Sequence, residues 1–319
     1  MTNPARLNPS DDMHQHWRAW QECVFSHDQN SLTNQFLTQN LDYAFFLMNH
    51  EDVRILQETF PKKPPINNGF QNMLTRAFFQ YQLIGIKRLR DSEHSSLDGN
   101  NAVCSLHALI ADINEARQEL TRSFYIQLNT NYIQTEPIDL TDSKALPLAP
   151  TRLEKVNSIF DRVSGTNAKN RSDQDVPLIS YITCLTDQIK LTEPIFTIAN
   201  KFSAHLATPD NRKKALINVS SDLKTLRQAF KDLYLVYGVL SRFLFSGPER
   251  LAVMPRASFA RNWTSTNLDS ANEKRIRAVY ECMAVETDAW LDEDIPQFWA
   301  QIHTTTTNEL KSQNTSKTT

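Results

Sequence analysis

Three polar side chains with complementary chemistry lie within six positions of one another, at Asn200, Lys201 and His205. Histidine transfers protons near neutral pH because its ordinary pKa is about 6.5, and an amide such as that of Asn200 orients a neighbouring group by hydrogen bonding. Lys201 precedes His205 by four residues, so on a helix both side chains lie on one face. A basic run follows the histidine and comprises Arg212, Lys213 and Lys214. These residues suit a site that holds a phosphate and moves a proton.

Each of these features also has a structural interpretation, and the residues alone leave both open. A single histidine on an amphipathic helix is more often a hydrogen-bonded structural residue than a catalyst, and a basic run is usually a solvated helix start. The pair His14 and His16 lacks a third ligand at helical spacing, so we predict no metal site. No dinucleotide fingerprint or phosphate-binding loop occurs, so we predict no cofactor.

The composition predicts that helices position these residues. Only 6 of the 319 residues are glycine, whereas β-rich and doubly wound folds use glycine freely in turns and phosphate loops. The formal net charge of −2 excludes a globally basic nucleic-acid binder. No run of about 18 apolar residues occurs, and residues 1–12 lack the apolar centre of a secretory signal. We therefore predict a cytoplasmic protein that does not enter a membrane.

The cysteines support the same compartment. The chain has 4 of them, Cys23, Cys104, Cys184 and Cys282, and none forms a C-x-x-C pair. Such wide spacing predicts buried thiols rather than a disulfide framework or a zinc site.

Apolar residues recur at spacings of three and four, which indicates a series of helices. The predicted helices are 70–91, 102–128, 151–163, 177–206, 220–245, 272–292 and 295–302. Helix 70–91 has so wide an apolar face that it should be central. Thr151 should cap the helix that follows it, and Pro194 should split helix 177–206.

These helices divide the chain into four segments. The N-terminal helices (1–69) either form a separate domain or complete the bundle, and a helical core (70–250) follows them. Residues 251–303 form C-terminal helices, and the tail 304–319 is too poor in apolar residues to order itself.

Two segments, in this order, resemble the abortive-infection branch of the HEPN superfamily. The first is Arg88-Leu89-Arg90-Asp91 followed by Ser105-Leu106-His107-Ala108-Leu109, which resembles that branch's R-L-x-D and S-L-x-x-L signature. The second is Ala199-Asn200-Lys201-Phe202-Ser203-Ala204-His205, which resembles its R-N-K-x-x-A-H segment. The resemblance covers residues 70–247 and leaves the terminal helices outside it.

The resemblance implies an all-α fold, an antiparallel helical bundle of HEPN type with extra N-terminal and C-terminal helices. HEPN proteins commonly form homodimers, and the active members are metal-independent ribonucleases. In their chemistry an arginine steadies the scissile phosphate while a histidine handles a proton. By this resemblance His205 is the proton-transfer residue and Asn200 the positioning residue. The expected RNA contacts are Lys201, Arg212, Lys213 and Lys214.

The family's arginine position falls on Ala199, which cannot stabilise a phosphate charge. Catalysis therefore requires a cation from elsewhere, for which Lys201, Arg88 and Arg171 are candidates, although lysine lacks the guanidinium fork that binds phosphate at two points. Our leading hypothesis is a HEPN-like protein of bacterial defence or toxin type that engages RNA, with ribonuclease activity compromised at Ala199. The alternative is a catalytically silent helical module that binds a cognate protein partner.

Overall fold

The computed structural model describes residues 9–26, 28–62, 68–91, 97, 104–134, 148–200, 223–245 and 270–316. Within these ranges the chain is all-α, as predicted, with no strand. The helices are α1 (Pro9–Phe25), α2 (Leu32–Thr59), α3 (Asn68–Arg90), α4 (Leu106–Glu115), α5 (Arg122–Gln134), α6 (Leu148–Ser164), α7 (Ile179–Lys190), α8 (Glu193–Ala199), α9 (Leu223–Phe245), α10 (Ser270–Ala289) and α11 (Ile295–Ser316). A 3₁₀ turn, Ala116–Gln118, follows α4, and a π-helical turn, Trp290–Asp294, joins α10 to α11. None of these helices is both long enough and apolar enough to cross a bilayer.

Helix α9 is the centre of the fold. It contacts α1, α3, α4, α6, α7, α8 and α11, as well as the π-helical turn. Its buried side chains point in every direction around the axis and include Leu226, Phe230, Leu233, Tyr234, Val236, Tyr237, Leu240, Phe243 and Leu244. Residues 232–241 are all buried, so the other helices enclose this part of α9, whereas Lys224 and Gln228 in its first turns are exposed.

Close approach to α11 requires a glycine on α9. A Cβ atom added to Gly238 would lie 2.2 Å from Cδ1 of Ile295, which is itself fully buried. The residue before this glycine is Tyr237, whose hydroxyl forms a 2.8 Å hydrogen bond with Thr33 at the start of α2. The buried polar group of Tyr237 is thereby satisfied, as burial of a phenol requires.

The guanidinium of Arg227 joins α9 to α2 and α10. It donates to Asn40 at 2.7 Å and to Thr287 at 3.0 Å, and it lies 4.1 Å from the ring centroid of Trp290. Glu286 forms an ion pair with it at 3.3 Å. Burial nevertheless lowers the pKa of Arg227, because removal from water disfavours its charged form.

The single helix predicted at 102–128 is wrong, since the chain breaks between α4 and α5. The backbone N–H of Arg122 donates to the carbonyl of Asp175 at 2.8 Å, and that of Ser123 donates to Asp173 at 3.1 Å. The buried Arg122 side chain also pairs with Asp161 and Asp175, each at 2.9 Å. Because the first N–H groups of a helix lack internal acceptors, partners in the distant 165–178 loop favour a new start at Arg122.

Helix boundaries around the predicted 151–206 region are partly confirmed. The predicted break is present, since α7 ends at Lys190 and α8 begins at Glu193 with Pro194 in its first turn. The predicted cap at Thr151 is wrong, because α6 already begins at Leu148. Pro177 precedes α7 instead of lying in its first turn.

Helix α3 is confirmed near its predicted bounds, but its central position is wrong for the first half. Phe70, Met73 and Tyr81 are 51%, 56% and 47% exposed, whereas Ile86 and Leu89 are fully buried. The two ends of this apolar face therefore have different surroundings. The C-terminal part enters the core, and the N-terminal part faces outward.

The order of the C-terminal tail is also corrected. Residues 304–316 continue helix α11, whereas we predicted disorder from 304 onward. The hydroxyls of Thr304, Thr305 and Thr306 donate to carbonyls four residues earlier, at 2.9 to 3.1 Å. These local bonds let a threonine-rich segment satisfy its polar groups inside a helix.

Burial of Asp42 on α2 should make the stability of the protein depend on pH. Burial raises the pKa of its carboxyl to about 6, and Oδ2 has no hydrogen-bond partner among the described residues. We expect Asp42→Asn to raise the free energy of unfolding at pH 7 by about 1 kcal/mol, a value reduced to allow for partial exposure. Because the folded carboxyl keeps its proton to a higher pH than the unfolded one, wild type loses stability as pH rises from about 4 to about 6.

Urea unfolding at several pH values measures this effect. The gain should vanish below about pH 4, where both states are protonated. Asp288→Asn at an exposed position of α10 is the control and should change stability little at any pH. An equal gain from Asp42→Asn at low and neutral pH would show that the carboxylate charge is not the cause.

Candidate functional site

Asn200 is the predicted site residue that the structure describes. It follows α8, and its backbone N–H donates to the carbonyls of Phe196 and Thr197. The side chain is half-buried, and Oδ1 has no hydrogen-bond partner among the described residues. His205, Lys201 and the basic run 212–214 lie outside the described residues, so their predicted roles stay predictions.

Ala199 lies in the interior of the protein. It is fully buried in the main hydrophobic core, next to the buried side chain of Ile198. An arginine at this position would push a charged group several bonds long into apolar side chains. The alanine is therefore required by the packing of α8, and position 199 does not face a ligand.

Of the three candidate replacement cations, Lys201 lies outside the described residues, Arg171 is committed elsewhere and Arg88 is exposed. Arg171 binds Glu154 at 2.6 Å and Asp161 at 2.7 Å, and these hydrogen bonds raise its pKa. It thus fastens the 165–178 loop to α6. Arg88 is exposed and lines a cavity with residues of α1.

Another cation, Arg90, lies against α8. It is the last residue of α3 and is only 7% exposed. Its guanidinium carbon lies 4.1 Å from the ring centroid of Phe196, and Nη2 forms an ion pair with Glu193. Glu193, Phe196 and Asn200 recur at spacings of three and four, so they share one face of the α8 segment. Arg90 therefore lies along the face that carries Asn200.

The remaining nitrogens of Arg90 are unusual. Nε and Nη1 are buried and have no hydrogen-bond partner among the described residues. An unpaired buried donor on a charged group costs more than a neutral one. A guanidinium in this state has unused capacity for an anion, because its five N–H groups form a fork that matches carboxylate and phosphate.

His107 on α4 belongs to the same cluster. Burial lowers its pKa, and the positive charge of Arg90 lowers it further, so the imidazole is neutral at pH 7. Its Nδ1 atom is buried without a hydrogen-bond partner among the described residues. The cluster thus combines a fixed cation with a neutral imidazole that can accept or carry a proton.

A hydrogen bond between α3 and α4 holds Arg90 and His107 together. The hydroxyl of Ser105 donates to the carbonyl of Asp91 at 2.8 Å and accepts from the N–H of Ala108 at 3.1 Å. Ser105 therefore caps α4 and fastens it to the residue after Arg90. Ser105 and Asp91, which belong to the segment that resembles the HEPN signature, thus have a structural role.

Our sequence analysis did not single out Arg90 as a site residue. A signal was present, because Arg90 occupies the position four residues after the buried Ile86, where the helical period predicts an apolar side chain. A cation at a buried register needs a partner or a function. The partner, Glu193, is 103 positions away in the chain, and no local pattern connects the two.

The cluster can bind an anion through the unpaired donors of Arg90, with His107 beside them, and the described residues contain no group of acidic, histidine or cysteine side chains that could hold a metal. Glu193 supplies the carboxylate that occupies Arg90 in this structure. Comparisons of the chain with protein-family models, with curated proteins and with solved structures give no match.

The burial of Ala199 predicts the result of restoring the family's arginine. We expect Ala199→Arg to lower the free energy of unfolding by at least about 3 kcal/mol, because it places an unpaired charge and surplus volume in the core. Denaturant unfolding monitored by circular dichroism measures the change. Ala300→Arg on the exposed side of α11 is the control, with an expected change within about 0.5 kcal/mol. Wild-type stability in Ala199→Arg would contradict the assignment of position 199 to the core.

Proposed function

We propose that this chain is a HEPN-like helical protein of bacterial defence or toxin type that engages RNA, and that Arg90 contacts a phosphate. The observation that supports this proposal is the buried guanidinium of Arg90, which lies against the helix carrying Asn200 and pairs with one exposed carboxylate. By resemblance, the bundle would be of HEPN type and the protein a homodimer. Its expected location is the cytoplasm.

The ion pair with Glu193 suggests how RNA would bind. The Arg90 side chain is 9% exposed, whereas that of Glu193 is 57% exposed. Glu193 can therefore turn into solvent while Arg90 stays fixed between Phe196 and the core. A phosphate oxygen presents the same charge-assisted acceptor as the carboxylate, so an RNA backbone would take the place of Glu193 on the guanidinium.

The other residues of the proposed site extend this contact. Asn200 would orient the ribose by accepting a hydrogen bond from a 2′-hydroxyl with its unsatisfied amide oxygen, and Lys201 with the 212–214 run would hold neighbouring phosphates. His205 remains the proposed proton-transfer residue, and neutral His107 is a second candidate for that role. Ribonuclease activity requires that one of these imidazoles lies within hydrogen-bonding distance of the reacting groups at the phosphate that Arg90 binds.

A different observation favours the alternative, a catalytically silent module that binds a cognate protein. The exposed side chains of Phe70, Met73 and Tyr81 lie on one face of α3. The same helix carries a single charged side chain, Arg76, between residues 68 and 86. Aromatic and methionine side chains with little charge are typical of protein interfaces.

Replacing the carboxylate that competes for Arg90 tests RNA engagement. We expect Glu193→Gln to tighten the binding of a fluorescein-labelled single-stranded RNA by about threefold to tenfold, because the phosphate no longer has to displace a charge. Arg90→Gln should weaken the binding by about tenfold. Fluorescence anisotropy measures both affinities, and thermal unfolding shows that each variant is folded.

Glu154→Gln is the matched control. Glu154 is 59% exposed and also pairs with an arginine, Arg171, so this variant makes the same change in net charge at a distant ion pair. It should leave RNA affinity unchanged within twofold, since Arg171 keeps its pair with Asp161. Equal tightening in both glutamine variants would attribute the effect to net charge and refute the Arg90 contact. Absence of RNA binding by the folded wild type would favour the protein-binding module.

A further inference from the structure

The thiols of Cys23 and Cys104 meet at the wall of a cavity. Cys23 lies on α1 and is 2% exposed, and Cys104 is half-buried and directly precedes the cap of α4. The Cys23 thiol donates a hydrogen bond to the sulfur of Cys104. Both residues line a cavity of about 900 Å³ between α1, α2 and the end of α3. The predicted burial of the thiols is confirmed for Cys23, whereas Cys104 and Cys184 are half-buried, and it is wrong for Cys282, which is exposed.

Rigid elements hold the two sulfurs in place. Cys23 belongs to the main hydrophobic core, and the backbone carbonyl of Cys104 accepts a 3.1 Å hydrogen bond from the side chain of Gln35 on α2. Ser105, the next residue, is fully buried and is fixed to Asp91. Both cysteines are therefore held by the packed fold at the wall of the same cavity.

The contact makes the two thiols chemically unequal. The hydrogen bond from Cys23 lowers the pKa of Cys104, although burial and the charges of Asp28 and Glu22 oppose that change. The same hydrogen bond, together with burial, raises the pKa of Cys23. Thiolate is the reactive form of cysteine. The half-buried Cys104 is therefore the nucleophile, and the buried Cys23 is the resolving thiol.

We propose that Cys23 and Cys104 form an oxidation site that takes hydrogen peroxide and closes to a disulfide. The sulfur of Cys104 attacks one peroxide oxygen: the S–O bond forms, the O–O bond breaks, and the departing hydroxide takes the thiol proton to leave as water. The Cys23 sulfur then attacks the sulfenic acid: the S–S bond forms, the S–O bond breaks, and the second hydroxide leaves with the Cys23 proton as water. Each sulfur loses one electron, and the two peroxide oxygens gain two.

The charges around the cavity select a neutral oxidant. Its charged lining residues are Glu22, Asp28 and Asp91 with Arg88, an excess of negative charge. Anionic oxidants and the anionic disulfide of a cellular thiol are repelled by such a wall. Hydrogen peroxide is small and uncharged, so it enters at no electrostatic cost.

Mass spectrometry of the peroxide-treated full chain tests the proposal. Wild type should give one cross-linked peptide that joins Cys23 to Cys104. Cys23→Ala should accumulate sulfenic acid at Cys104, trapped by dimedone, because the second thiol is missing. Cys104→Ala should leave Cys23 reduced. Alanine suits both buried positions because it introduces no polar group, and thermal unfolding verifies that each variant folds.

Cys184 is the matched control within the same molecule. It is half-buried like Cys104, but burial raises its pKa, and its side chain interacts with Thr305 instead of with a cysteine. It should react with peroxide at least about tenfold more slowly than Cys104. Equal rates at Cys104 and Cys184, or treated wild type without the cross-linked peptide, would overturn the proposal. Dimedone labelling of Cys23 in Cys104→Ala would also overturn it, because the assigned order of attack would be wrong.

Discussion

The burial of α9 along most of its length is the constraint on which the rest of the structure depends. Apart from the exposed Lys224 and Gln228, the helix is enclosed, so each polar group in the enclosed part needs a partner and each neighbour needs room. Tyr237 obtains its partner from Thr33, Arg227 from Asn40 and Thr287, and Gly238 provides the room for Ile295. These contacts fix the start of α2, the end of α10 and the start of α11 against one axis. Helices from the N-terminal, core and C-terminal segments therefore share one hydrophobic core.

The proposed RNA site is a consequence of this packing. Helices α3, α4 and α8 each contact α9, and Arg90 lies where α3 ends beside α8. The core side of α8 includes Ala199, so the position that the resemblance to HEPN proteins assigns to an arginine is filled by a small core side chain. In the proposed site the cation comes from α3 instead, and Ser105 keeps it beside His107. In the proposed site the rigid core positions Arg90, and movement of the exposed Glu193 gives the RNA phosphate access to it.

The sequence was sufficient for the fold class and for the helices with strong apolar periods, such as α9 and the break at Pro194. It was insufficient where distant groups decide a local outcome. The start of α5 depends on carbonyls of Asp173 and Asp175, and the outward face of α3 depends on which half of the helix its neighbours cover. Arg90 was missed for the same reason, because Glu193 is remote in the chain. The motif that ends at His205 adjoins α8, but its histidine lies in residues 201–222, outside the described part, so its role stays a prediction.

The central claim is that Arg90 touches an RNA phosphate, and the salt dependence of RNA affinity tests it most directly. Each phosphate contact on a single strand contributes about 0.7 to the slope of log affinity against log salt concentration, because bound counterions are released. The account predicts that Arg90→Gln lowers the magnitude of this slope by about 0.7 relative to wild type. A folded Arg90→Gln variant with the wild-type slope would contradict the account, since Arg90 would then influence RNA binding without contacting a phosphate.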